Sequence, residues 1–312
     1  MRTLVVGAGA TGGYFGGRLL QVGRDVTFLV RKERAARLAE TGLVIKSVCG
    51  DVHLPSPPTV LAGEIRQPFD VVLLSCKSYD LDDAISALAP AVGPETAVVP
   101  LLNGMRHLDV LDERLGRRHV LGGTCIISSR CDESGRILHL NDVHTLTFGE
   151  RSEDQAPLSR AAAAAFGGAA FEAKASHDII LEMWEKWVVL ATLAGITCLM
   201  RAAVGDIVTA AGADLSAALL EECLAIAAAA GRPVRPAFLE RVRPRLFDAR
   251  SPLTASMLGD LERGGRTEAD HVLGDLLGRR ATVPAHDHSL LRIAYTSLKA
   301  AEARRAREKA KS

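Results

Sequence analysis

Residues 3–12 read TLVVGAGATG, an uncharged apolar run that ends in G-x-G-x-x-G. The run has the composition of a buried strand, and residues 10–22 that follow have helical character. Strand, glycine turn and helix in that order form a dinucleotide-binding loop. Gly7 permits the tight turn, Gly9 lets the backbone approach a pyrophosphate, and Gly12 lets the helix pack on the strand. The N–H groups opening that helix, around Ala10 and Thr11, face the phosphates with a partial positive charge. An unliganded glycine turn and a flavin site are the alternatives.

Working outward, 25–30 (DVTFLV) is a second strand, and its C-terminal end selects the cofactor. An acidic residue there would accept the ribose 2′-hydroxyl of NAD. Arg31 and Lys32 stand there instead, with Arg34 nearby, and a guanidinium suits a 2′-phosphate. The expected cofactor is NADP(H); a solvated basic helix start is the alternative. Residues 69–75 and 96–102 are further apolar strands, with a helix at 81–91 between them. The loops after these strands carry Lys77 and Asn103-Gly104, at the strand ends where ligands of such sheets bind. Alternation of strand and helix predicts a parallel sheet covered on both faces.

Strand-like runs continue at 119–127, 136–140 and 145–148. A helix at 157–166 follows, and 170–173 is expected to close the sheet. Beyond Ser176 strand patterns cease. A long helix runs to about residue 199, capped by Ser176 or Asp178. Further helices are expected at 206–210, 213–230, 236–248, 251–263, 268–279 and 284–307. The fold class is α/β: a Rossmann-type doubly wound domain over 1–174, then an all-α domain over 175–312. The chemistry is expected in the cleft between them.

Composition excludes several classes. The 312 residues carry 38 basic and 37 acidic side chains. That near balance argues against a nucleic-acid binder. No apolar stretch is long enough for a membrane helix. Residues 3–17 lie between Arg2 and Arg18 like a signal peptide, but six of those fifteen are glycine, which suits no apolar signal helix. A cytoplasmic protein with reduced, mostly buried thiols is expected. The six cysteines form no C-x-x-C and the nine histidines no H-E-x-x-H, so no metal site is expected. His286 and His288 flank Asp287 just after Pro284, where a loop or helix start is the simpler reading.

Taken together, these motifs resemble the ketopantoate reductase (2-dehydropantoate 2-reductase) family over nearly the whole chain. The likeness rests on the glycine loop with Arg31, Cys76-Lys77, Asn103-Gly104, Trp184-Glu185-Lys186, and Ser256-Met257-Leu258-Gly259-Asp260 followed by Thr267-Glu268. The resemblance implies an NADPH-dependent oxidoreductase that acts on the CH–OH/ketone pair of a small 2-oxo acid. It implies that Lys186 is the general acid and that Glu268 positions it. It also implies that Ser256 and Asn103 bind substrate, Asn103 beside the nicotinamide, and that Lys77 faces the cofactor. A lysine is protonated near neutral pH and can donate to the developing alkoxide while stabilising it. A surface Glu182–Lys186 pair, one helical turn apart, is the simpler reading of that lysine.

The chain departs from the family pattern where amides are expected. Asparagines usually stand four and eight residues after the lysine; here those positions are Leu190 and Ala194. Val204 replaces a third, before Gly205. Sites that hydrogen-bond a substrate discriminate through those bonds, so a 2-oxo acid more apolar than ketopantoate is expected. Ketopantoate, and with it pantothenate biosynthesis, stays open if Thr192 or Thr197 substitutes. A non-catalytic NADP(H) sensor and another two-domain hydroxyacid dehydrogenase are the alternative functions. A homodimer through the apolar helical half is open.

Overall fold

The computed structural model describes residues 1–280 and 288–310. The first part of the chain runs β1 (Arg2–Val6), α1 (Ala10–Gln21), β2 (Asp25–Leu29), α2 (Lys32–Thr41), β3 (Leu43–Ser47), β4 (Val52–Leu54) and β5 (Thr59–Val60). It continues through β6 (Val71–Leu74), α3 (Leu81–Leu88), β7 (Ala97–Pro100), α4 (Arg106–Leu115), β8 (Gly122–Cys131), β9 (Ile137–Gly149), α5 (Ala156–Phe166) and β10 (Glu172–Ala175). Helices follow: α6 (Ile179–Met200), α7 (Val204–Thr209), α8 (Ala213–Ala229), α9 (Pro236–Phe247) and α10 (Ser256–Glu262). A π-helical turn over Asp270–Gly274 leads into α11 (Asp275–Gly278), and α12 spans Leu290–Lys309. The chain divides into two units: Met1–Leu102 with His107–Ile180, and Asn103–Arg106 with Leu181 onward.

The first unit holds two sheets rather than the single one expected. The first is parallel, in the order β5-β2-β1-β6-β7. Its strands β6 and β7 are buried along their whole length, which is why they read as unbroken apolar runs. The order reverses between β1 and β6, the switch point at which α/β sheets bind ligands. The second sheet has the order β10-β9-β3-β4, with β8 paired antiparallel to β9. The expected closing strand at 170–173 lies instead at Glu172–Ala175, on β9. The runs expected at 136–140 and 145–148 are one long strand, interrupted by a bulge. Short β3, β4 and β5 were not expected; they alternate too briefly to register as strands.

Helix α1 lies between the two sheets, and this explains its glycines. A Cβ on Gly16 would come 2.6 Å from Phe28 of the first sheet. A Cβ on Gly13 would come 2.6 Å from Ile137, and one on Gly17 2.8 Å from Ile45, both in the second. Tyr14, Phe15 and Leu19 fill the space that remains.

The second unit is helical throughout its described residues. Its α6 carries Glu185, only 1% exposed, whose carboxylate accepts from Arg235 Nε (2.7 Å), Nη2 (2.5 Å) and backbone N (3.0 Å). A buried carboxylate needs such pairing, and it ties α6 to the start of α9. The helix expected over 251–263 is shortened to Ser256–Glu262, and that over 284–307 is observed as Leu290–Lys309. Pro284, His286 and Asp287 lie outside the described residues. Among the described residues, no helix is long and apolar enough to cross a membrane.

Candidate active site

At the switch point, the loop after β1 meets the loop after β6. Gly7 has φ +91°, a conformation that favours glycine. A Cβ on Gly12 would fall 2.0 Å from Ser75 Oγ and 2.3 Å from Gly7 O, so only glycine fits. Ser75 Oγ donates to Val6 O at 2.9 Å and lies 3.4 Å from Gly7 O, joining the two loops. Sequence reading missed Ser75, because its partners are backbone carbonyls that leave no motif. Gly9 has nothing within 4 Å of its would-be Cβ and is exposed. It N-caps α1 without a side-chain cap, and no acidic residue stands in the first turn. Free N–H groups, an open approach and the positive helix end make a cradle that fits a pyrophosphate. Ala10 and Thr11 lie in that first turn, both half-buried.

The basic residues after β2 divide into two kinds. Arg31 is exposed and pairs with Asp80 at 3.2 Å and Asp83 at 4.0 Å. Its hydrogen bond to Asp80 raises its pKa further above the ordinary guanidinium value. Arg34 is committed elsewhere: Nε donates to Ala8 O (3.0 Å) and Nη1 to Gly135 O (3.1 Å). It therefore braces the glycine loop, and burial lowers its pKa. Lys32 is exposed. Lys77 is half-buried and precedes the 3₁₀ turn Ser78–Asp80 that brings Asp80 to Arg31.

In the second unit, three segments interlock around the other predicted residues. Gly104, φ +76°, packs against the π turn; a Cβ there would lie 2.7 Å from His271 O. This seats the Asn103-Gly104 turn against the segment that begins at Glu268. Trp187, next to Lys186 on α6, donates from Nε1 to Val272 O at 2.8 Å in the same turn. A π turn leaves such carbonyls without their usual helical partner, and it often marks functional segments. Glu268 is buried at the head of the turn, and Lys186 is half-buried. Buried His271 has a pKa lowered first by desolvation, against the opposing pull of Glu268 and Asp275; Arg106 lowers it further.

The remaining predicted residues sit as follows. Leu190 is half-buried and Ala194 fully buried, one and two turns along α6 from Lys186. Ser256 is exposed at the first position of α10. The segment before it is held by Val204 N and Gly205 N, which donate to Leu253 O and Ser251 O. Thr192 and Thr197 direct their hydroxyl hydrogens to their own helix. Both are buried and donate to Val188 O and Leu193 O. All six cysteines are free thiols, but Cys49 and Cys131 are exposed, against the expectation of mostly buried ones. Burial pushes Cys198 and Cys223 up to about 12.

A doubly wound sheet with a glycine cradle at its switch point, followed by a helical unit, defines a Rossmann-type dinucleotide-dependent protein. The sequence models "Ketopantoate reductase PanE/ApbA" and "Ketopantoate reductase PanE/ApbA C terminal" match residues 3–153 and 178–300. The chain belongs to this oxidoreductase family, whose members reduce small keto acids with NAD(P)H. It is 38% identical to "Uncharacterized oxidoreductase YkpB" of Bacillus subtilis (strain 168), over 97% of this chain and 99% of the other. The solved 2-dehydropantoate 2-reductase of Geobacter metallireducens GS-15 superposes with a TM-score of 0.86 at 27% identity, over 96% of this chain and 100% of that one. A D-mandelate dehydrogenase solved with NADH and anilino(oxo)acetate shares the fold: TM-score 0.86, 20% identity, 98% of this chain and 99% of that one.

Proposed function

We propose that the chain reduces a 2-oxo acid bearing an apolar side chain, with NADPH as reductant. The observation that carries this reading is the interlock in the second unit. The helix of Lys186 and the turn of Asn103 are both fixed to the π turn that Glu268 opens. A lysine, an amide and a carboxylate on mutually braced segments suit protonation of a ketone oxygen. When bound, the reduced nicotinamide supplies the hydride.

The chain's own residues do the rest. The Lys186 ammonium donates its proton to the carbonyl oxygen and stabilises the negative charge developing there. Glu268 orients that ammonium once substrate is bound. Asn103 and Ser256 donate to the substrate's carboxylate and oxo oxygens. Leu190 offers methyl groups where an amide would hold a hydroxyl, and Ala194 keeps the next turn small. The fold alone leaves the side chain of the acid open, since it also houses an enzyme of an aromatic hydroxy acid.

Arg31 would hold the 2′-phosphate of NADPH, giving up its pairing with Asp80 at 3.2 Å. The test is NADPH and NADH oxidation against a panel of 2-oxo acids. Apolar 2-oxo acids are expected to outperform ketopantoate in kcat/KM. Lys186→Ala is expected to lower kcat by about 10²–10⁴-fold, the range for a general acid. Equal or better turnover of ketopantoate would overturn the apolar-substrate reading.

A further inference from the structure

Away from the dinucleotide loop, the turn between β3 and β4 meets a bulge of β9. Pairing of β8 with β9 runs to Ile127↔His144 and resumes at Ser129↔His139. The extra residues on β9 lie between those two histidines. In a regular strand, residues five apart point to opposite faces; the bulge brings these two together. Their rings stack with centroids 5.5 Å apart and planes at 22°. Cys49 reaches them from the β3–β4 turn. Its Sγ and one ring nitrogen from each histidine all lie within 4.8 Å of one another.

We propose that Cys49, His139 and His144 form a binding site for a zinc-class divalent cation, separate from the reductase chemistry. One sulfur and two imidazoles are the donor set such borderline ions select, whereas magnesium and calcium require oxygen ligands. The surroundings supply the outer contacts that orient ligating imidazoles. Tyr14 Oη lies 2.6 Å from His144 Nδ1, which leaves Nε2 for the ion. His139 contacts Ser47 Oγ through Nδ1 (2.8 Å) and Val143 O through Nε2 (3.1 Å). One of these two bonds gives way to the metal–nitrogen bond.

The turn that carries the sulfur is itself fixed. Cys49 N donates to Ser47 Oγ at 3.0 Å, and buried Arg18 donates to Gly50 O at 2.7 Å. The Arg18 guanidinium lies 5.1 Å from the Tyr14 ring centre, so its positive charge opposes a cation held by imidazoles alone. The Cys49 thiolate offsets that charge, which makes the sulfur indispensable. Cys49 is exposed, so a fourth position stays open to water.

Cobalt(II) titration of the full chain tests the site, because tetrahedral cobalt–thiolate coordination gives a near-ultraviolet charge-transfer band and intense visible bands. One equivalent is expected to saturate these bands, and zinc to displace them. Cys49→Ser and His144→Gln should each abolish them, while Cys131→Ser, at the other exposed thiol, should keep them. Zinc should also raise the thermal midpoint of the wild type and not that of Cys49→Ser. No charge-transfer band in the wild type, a band that survives Cys49→Ser, or a band that Cys131→Ser removes would overturn the proposal.

Discussion

Gly9 and Gly12 look alike in the motif, yet the structure gives them different work. A methyl group on Gly12 collides with Ser75 Oγ and the Gly7 carbonyl, while one on Gly9 meets nothing within 4 Å. Gly12→Ala should therefore cost stability, about 1–3 kcal/mol by overpacking. Gly9→Ala should leave denaturant stability unchanged and weaken only cofactor binding. Equal stability loss in both would contradict the assigned roles. Arg31 is singled out in the sequence by its place after the second strand. Its partner Asp80 is not, because a 3₁₀ turn after a different strand delivers it. Charge-assisted hydrogen bonds contribute roughly 1.5–3 kcal/mol, so Arg31→Ala should raise KM for NADPH about tenfold or more, with NADH little affected. Asp80→Asn should lower KM for NADPH by releasing Arg31; a rise would remove Arg31 from the phosphate. Thr192 and Thr197 illustrate the opposite limit: a hydroxyl in a sequence does not reveal that its own helix backbone has already taken it.

At the scale of elements, the π turn over Asp270–Gly274 is where the second unit converges. It receives Trp187 from α6 and the Gly104 turn, and α12 clamps its start. Tyr295 Oη donates to Asp270 at 2.6 Å, Lys299 bridges Asp270 and Glu302, and Thr267 donates to Glu302 at 2.5 Å. Buried His271 makes this turn pH-sensitive. Its folded pKa lies below its unfolded value, so the unfolded chain takes up the proton first. Stability is fully present above about pH 6.5 and is lost as pH falls below it. Urea unfolding across pH should show that decline, and His271→Gln should flatten it; an unchanged slope would contradict the assignment. Sequence periodicity placed a helix over 268–279 but could not show its wide turn, since a single π turn is too short to change the apolar period of the helix around it. The bulge of β9 was hidden for a related reason. Residues 136–140 and 145–148 each read as a short strand, and only pairing with β8 shows that they form one strand with the intervening residues pushed aside.

For the molecule as a whole, the Rossmann half was the more legible. Fully buried parallel strands write themselves as apolar runs, and the glycine loop has few other uses. The second sheet was not legible, because its register is set by partners far apart in sequence, β3 with β9 and β9 with β10. The same holds for Cys49, His139 and His144, which no local spacing links. The central claim is chemical: a nicotinamide reductant and a proton from Lys186 act on one keto acid. Steady-state oxidation of NADPH by wild type and Lys186→Ala, over a panel from ketopantoate to 2-oxo acids with larger apolar side chains, tests it most directly. The account predicts turnover that is greatest with the apolar acids and falls at least about a hundredfold in the variant. Undiminished turnover in Lys186→Ala, or no turnover of any 2-oxo acid by wild type that still binds NADPH, would contradict it.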